Sequence, residues 1–253
     1  MTNFKIKYIF IMLLFTLSSC NITGSPNKDS TPSLLSQGTH LELAPERTKF
    51  VDKIGSALLY RGSLPINNGQ FDFQATLDSM VTDSSKKTPV NTKTVAPETL
   101  PESFYFIDFN LLAINSTSEH THLNIEEAFF KENPTLGKVI HHDVNALFLK
   151  GLTTGKTGQI IDTVIEDLHD RLTYLEEDQK PRIIYVHCEA GLDRTGAVIA
   201  GYAMRYLGYS YIDALAINHM LDLRDPNGFA KEAIKLYAKY LKDTIGINTI
   251  GKI

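Results

Sequence analysis

The chain reads as an α/β fold: one domain with a central, mostly parallel sheet flanked by helices. Three observations predict it. Ile183-Ile184-Tyr185-Val186-His187 is a continuous, largely apolar run, the pattern of a strand buried on both faces. Ile160, Ile161, Val164, Ile165, Leu168, Leu172 and Leu175 recur at helical spacing, which marks a strongly amphipathic helix. Strand-like and helix-like stretches alternate along the chain, and that order implies a sheet layered by helices.

Taken in order, residues 1–19 read as a removable leader, 20–40 as a flexible tether, 41–245 as the folded domain and 246–253 as a tail. Asn21 to Gly38 is rich in Ser, Thr, Pro, Asn and Gly, the composition of a solvated linker. Ala57 to Pro65 reads as a short strand and a turn, and Asp83 to Glu98 as an exposed loop that carries the solvated pair Lys86-Lys87. Phe104 to Phe109 is an aromatic-rich strand. Ile125 to Glu132 suggests a short helix stopped at Pro134. Lys138 to His142 is the next strand, with His141 and His142 on alternate faces, and Lys150 to Gly158 is a Gly- and Thr-rich loop. After the strand at 183–187, Gly196 to Leu207 is apolar nearly all round, so it is expected to be central. Tyr211 to Leu221 and Phe229 to Leu241 complete a helical C-terminal third.

The chain has 253 residues, 43% apolar and 21% charged, enough to bury a full core in one domain with decorations. A net charge of -4 offers no basic field for nucleic acid or an anionic lipid surface. Any phosphate must therefore be held by a local site.

At the N-terminus, Lys5 and Lys7 precede an apolar run from Tyr8 to Leu17, then Leu17-Ser18-Ser19-Cys20. This is the layout of a secretory signal, and the run is short of the roughly 20 residues that span a bilayer. Leu-Ser-Ser-Cys resembles the lipobox of bacterial lipoproteins. That resemblance implies lipidation at Cys20, export to the periplasm or outer membrane, and membrane contact by a lipid anchor at most; an ordinary secreted protein is the alternative. Labelled palmitate is expected on the wild type and not on Cys20→Ala. Cys20 and Cys188 are the only cysteines, so with both assigned a role no structural disulfide is expected.

The chemistry lies between the buried strand and the central helix, in His187-Cys188-Glu189-Ala190-Gly191-Leu192-Asp193-Arg194-Thr195-Gly196. The six fixed positions, His187, Cys188, Gly191, Arg194, Thr195 and Gly196, would coincide by composition with a probability on the order of 10⁻⁸ per start point. A strand–loop–helix junction points successive N–H groups inward, and the helix N-terminus adds positive potential. Such a nest holds a tetrahedral dianion and favours a thiolate at Cys188. Glu189, Ala190, Gly191, Leu192 and Asp193 would wrap the phosphate. Arg194 offers two parallel donors, which Lys cannot match. Thr195 is placed to donate to the sulfur as it leaves.

These residues match the signature of the protein-tyrosine-phosphatase superfamily at every fixed position. The resemblance extends more loosely over Ala57 to Leu241. Tyr60-Arg61-Gly62-Ser63-Leu64-Pro65 is similar to the opening strand of bacterial dual-specificity-like phosphatases, His187 to Gly191 to the loop of cysteine phytases, and Asp193-Arg194-Thr195 to myotubularin lipid phosphatases. The resemblance implies a phosphocysteine intermediate and no metal or other cofactor.

One part of that pattern is missing. The family places an aspartic acid about thirty residues before the nucleophile, and Lys150 to Gly158 contains no Asp or Glu. Asp143 ranks first as the proton donor and Asp193 second; Asp162, with tolerable spacing, is expected to be solvated. His187 is expected to orient the loop rather than act as a base. Arg61 is either a surface charge or a residue on the active-site side, while His219 and Arg224 are candidates to reach the cleft. Three functions compete: a phosphatase of phosphotyrosine or dual-specificity phosphoprotein substrates, a phosphatase of inositol phosphates or phosphoinositides, and a phosphate-binding module without turnover. The oligomeric state is open.

Overall fold

The computed structural model describes residues 42–83, 89–144, 154–174 and 180–253. The leader, the tether with Cys20, and Lys86-Lys87 lie outside the described residues. Seven strands and six α-helices are described: β1 Lys49–Ile54, β2 Ala57–Gly62, β3 Ile66–Asn67, β4 Gln70–Phe71, α1 Phe73–Thr82, β5 Tyr105–Asn110, α2 Thr117–Glu132, β6 Gly137–His141, α3 Thr154–Thr173, β7 Arg182–His187, α4 Arg194–Tyr202, α5 Tyr211–Met220 and α6 Gly228–Tyr240. No helix among the described residues is long and apolar enough to cross a membrane.

The main sheet has the order β1-β2-β7-β5-β6. Only β1 runs antiparallel to its neighbour; the β2–β7, β5–β7 and β5–β6 pairs are parallel. β7, whose six residues are all buried, is central, as its apolar run requires. Its side chains alternate between two cores. Ile184 and Val186 face α3, α4 and α6, whereas Ile183 and Tyr185 join Phe50, Tyr60, Phe106 and Phe130 on the other side. The β7-to-α4 turn therefore emerges at the C-terminal ends of the parallel strands, where open α/β sheets place their sites.

Several elements differ from the sequence reading. β1 and α1 were not anticipated. β1 mixes Lys49 and Asp52 with buried apolar residues, and both charges are themselves buried, so no alternation is visible. α2 starts at Thr117 rather than Ile125. Its inward face carries Glu119, Leu123, Glu126 and Phe130, and two acids in that stripe conceal the helical period. The stretch expected as loop up to Gly158 is helical from Thr154; the bare Cα of Gly158 lets α3 approach Tyr240, whose Cβ lies 2.3 Å from where a side chain would start. Ile250, expected in a tail, is fully buried in the core beside α6. Asp83, expected to open an exposed loop, is buried and accepts the Phe50 N–H at 2.7 Å.

Candidate active site

β7 delivers Cys188, 2% exposed, to the turn, and α4 begins at Arg194. Between them the carbonyls are drawn outward one after another. Glu189 O accepts from the Leu64 N–H at 3.1 Å and Ala190 O from Arg47 Nη1 at 3.1 Å. Gly191 O accepts from Arg61 Nη2 at 2.7 Å, Leu192 O from Asn218 Nδ2 at 3.0 Å, and Asp193 O from the Ala197 N–H at 2.8 Å. In a trans peptide the N–H points opposite to the C=O. Fixing these five carbonyls outward therefore turns the amides of residues 190–194 toward the cavity above Cys188. Gly191 is required here: its φ is +69°, and an added Cβ would lie 2.2 Å from the Gly62 carbonyl oxygen.

Arg194 sits at the cavity wall, gripped end-on by Glu119 of α2: Nη2 donates to Oε1 at 2.9 Å and Nη1 to Oε2. Nη1 also donates to Leu111 O at 3.0 Å. Burial opposes the Arg194 charge, but Glu119 and then Cys188 outweigh it, so its pKa is raised. Glu119 is itself fixed by the Ala113 N–H at 2.7 Å. Thr195 is fully buried and its hydroxyl makes no hydrogen bond. Ala113, Asn227 and Phe229 complete the rim of a cavity of about 260 Å³ that Cys188, Glu189, Ala190 and Arg194 also line.

The three proton-donor candidates occupy different places. Asp193 lines the cavity, but Arg224 grips both its oxygens at 2.7 and 3.0 Å and the Asn227 N–H donates to it at 2.7 Å. Burial pushes its pKa up, yet these hydrogen bonds win and hold it below the usual carboxylate range. Asp143 follows β6, is exposed and does not line the described cavity. Asp162, expected to be solvated, is 6% exposed; it accepts the Tyr237 hydroxyl at 2.7 Å and pairs with Arg205 at 2.8 Å. Glu189 is a further carboxyl at the mouth. Its pKa is raised, first by burial and then by Glu119, against the pull of Arg194.

Of the other residues singled out, Arg224 reaches the loop through Asp193, whereas His219 is exposed. Its neighbour Asn218 supports the loop instead. His141 binds Leu112 O and His142 binds Asp167, so both serve the scaffold. Glu119, Asn218 and Arg47 carried no sequence signal, because the loop groups they hold are distant in the chain.

Behind the loop lies a cluster that the sequence reading did not see. His187, Asp108 and Glu126 are fully buried, with ligand-type atoms within 4.8 Å of one another. His187 Nε2 is 2.7 Å from Asp108 Oδ1 and 3.7 Å from Glu126 Oε2, and Asn110 donates to Glu126. The ring of His187 thus pairs with acids behind the loop, while its carbonyl accepts the Leu111 N–H at 2.9 Å. Burial, then the neighbouring Asp108, pushes the Glu126 pKa well up.

No family model matches the chain, and no curated protein matches it. Among solved structures it is similar to the core catalytic domain of the PP-IP phosphatase SIW14 from S. cerevisiae, at 17% identity and a TM-score of 0.38, covering 78% of this chain and 88% of that one. It is also similar to the human tyrosine phosphatase-like serine/threonine/tyrosine-interacting protein, at 16% identity and a TM-score of 0.40, covering 76% and 98%. PTPMT1, solved with PI(5)P, aligns at 14% identity and a TM-score of 0.39, covering 77% and 97%.

Proposed function

We propose that the chain is a cysteine-dependent phosphomonoesterase of the protein-tyrosine-phosphatase type, and that phosphotyrosine is its preferred substrate. The observation that carries this reading is the run of five loop carbonyls tied outward around Cys188, which commits the amides of residues 190–194 to an anion. Arg194 closes the ring. The Cys188 thiolate attacks phosphorus, the bond to the leaving oxygen breaks, and that oxygen takes a proton. Water then hydrolyses the phosphocysteine, releasing inorganic phosphate and regenerating the thiolate, with the Thr195 hydroxyl donating to the departing sulfur.

Two features favour an aryl phosphate. Asp193 is held as an anion by Arg224, and Val144 to Ile161 contains no acid, so proton delivery rests on Asp143 or Glu189. A phenol leaves with a pKa near 10, far below that of an alkyl alcohol, and so depends least on an acid. The mouth also presents Glu119, Glu189 and Asp193 beside the apolar Ala113, Ala190 and Phe229. Phe229 offers a face to a ring, while Glu119 and Asp193 are already paired with Arg194 and Arg224. At about 260 Å³ the cavity is smaller than the roughly 300–1,000 Å³ of drug-sized sites, which suits one phosphate and its first ring.

The test is phosphate release by the full chain, under reducing conditions, from a small aryl phosphate, phosphotyrosine and phosphoserine peptides, soluble phosphoinositides and inositol hexakisphosphate. Turnover on phosphotyrosine that vanishes in Cys188→Ser is the expected result. Asp143→Asn should slow the reaction more than Asp193→Asn. Preference for an inositol phosphate would overturn the substrate, and binding of vanadate without turnover on anything would overturn the enzyme.

A further inference from the structure

Arg61, near the end of β2, has no exposed surface. Its Nη1 donates to Asn218 Oδ1 at 2.6 Å and its Nη2 to Gly191 O at 2.7 Å, while the Nε–H is buried and makes no hydrogen bond. These partners are neutral oxygens. Burying a cation is costly unless a negative charge accompanies it, and among the described residues no carboxylate pairs with Arg61. The other arginines at the loop differ. Arg194 is paired with Glu119, Arg224 with Asp193, and Arg47 with Glu46 at 3.6 Å. Each of those has an acid partner of its own, the exposed Arg47–Glu46 contact being the loosest. Arg61 is the exception, and it lies under the loop that carries Cys188. Burial brings its pKa down to about 10, and the group that opposes this fall is Cys188.

We propose that Arg61 is the fixed counter-charge of the Cys188 thiolate, a positioning residue that holds Gly191 and supplies positive potential from behind the loop before any phosphate arrives. Arg194, already paired with Glu119, adds its two remaining donors when substrate binds; Arg61 acts on the resting nucleophile and never touches substrate. The inference rests on Cys188 being the nucleophile proposed above. It is tested on the thiolate directly, without turnover, so an inactive protein that passes this test would sink the phosphatase reading alone.

The measurement is the rate at which iodoacetamide alkylates Cys188 in the full chain, followed on the Cys188 peptide by mass spectrometry across the pH range in phosphate-free buffer. Arg61→Gln removes the charge and, being two bonds shorter, also lets go of Gly191 and Asn218; Arg61→Lys keeps the charge and loses the fork. At about pH 6 the Arg61→Gln rate should fall about tenfold, the equivalent of one titration unit, while Arg61→Lys should stay within about threefold of wild type. Wild-type reactivity in folded Arg61→Gln, or an equal loss in both variants, overturns the proposal. Should circular dichroism show Arg61→Gln unfolded, the wild type decides the matter. The guanidinium ¹⁵N resonance of Arg61, assigned through its contacts with Gly191 and Asn218, must move with the same pH midpoint as Cys188 alkylation. A flat resonance refutes the pairing.

Discussion

The guanidinium of Arg194 has five N–H donors, and Glu119 with the Leu111 carbonyl takes three of them. The two left over, the Nε–H and the second Nη2–H, share one edge of the plane, which is the geometry that grips two phosphate oxygens in parallel. Glu119 therefore sets which edge faces the substrate. Because the Ala113 N–H and the helix backbone fix Glu119 in turn, the donor pair is aimed before substrate binds. Glu119→Gln retains the shape but can accept from only one arm, so the plane is free to swing. A misplacement of about 1 Å costs on the order of 10²-fold in rate, and kcat/KM on an aryl phosphate is expected to fall by that order. Alkylation of Cys188 should not fall, since the loop carbonyls keep their partners and Arg194 loses its counter-charge. Turnover within twofold of wild type would show that Arg194 needs no such guide.

At the scale of elements, what the sequence disclosed and what it hid follow one physical division. Cys188, Arg194 and Thr195 were legible because a strand, a turn and a helix N-terminus hold them within eight consecutive residues, and their chemistry depends on that contiguity. The groups that make the turn work come from far away: Arg61 lies 130 residues from Gly191, Glu119 75 from Arg194, and Asn218 26 from Leu192. No spacing rule reaches them. α2 shows the same division within one helix. Its buried stripe has helical spacing, yet Glu119 and Glu126 occupy two of its four positions, so a search for apolar periodicity finds only the second half. β7 and α3 were found because apolar side chains dominate their inward faces. The acids of α2 are buried because the site and the cluster behind it need them there, and that need becomes visible only after folding.

On the scale of the whole molecule, the burial of Glu126 ties global stability to pH. Its pKa is raised, by burial first and by Asp108 next, so between the ordinary Glu value of about 4.3 and its raised value the native state holds a proton that the unfolded chain has lost. Stability from this group is complete below the unfolded value and falls as pH rises through the window, by up to about 1.4 kcal/mol per pH unit. Asp72, Asp167 and Asp193 are shifted the other way, and their windows lie below the ordinary Asp value, clear of this one. His169 is held below its usual value by burial, so it opposes the trend up to about pH 6.5, equally in any variant that spares it. Glu126→Gln keeps the volume, still accepts from Asn110 and cannot ionise. Urea unfolding at several pH values between about 5 and 8 should show wild type losing stability relative to Glu126→Gln as the pH rises, with the two curves parting across the window. Parallel curves over that range would mean that Glu126 ionises in the folded protein as readily as in the unfolded chain, and its raised pKa would have to be abandoned.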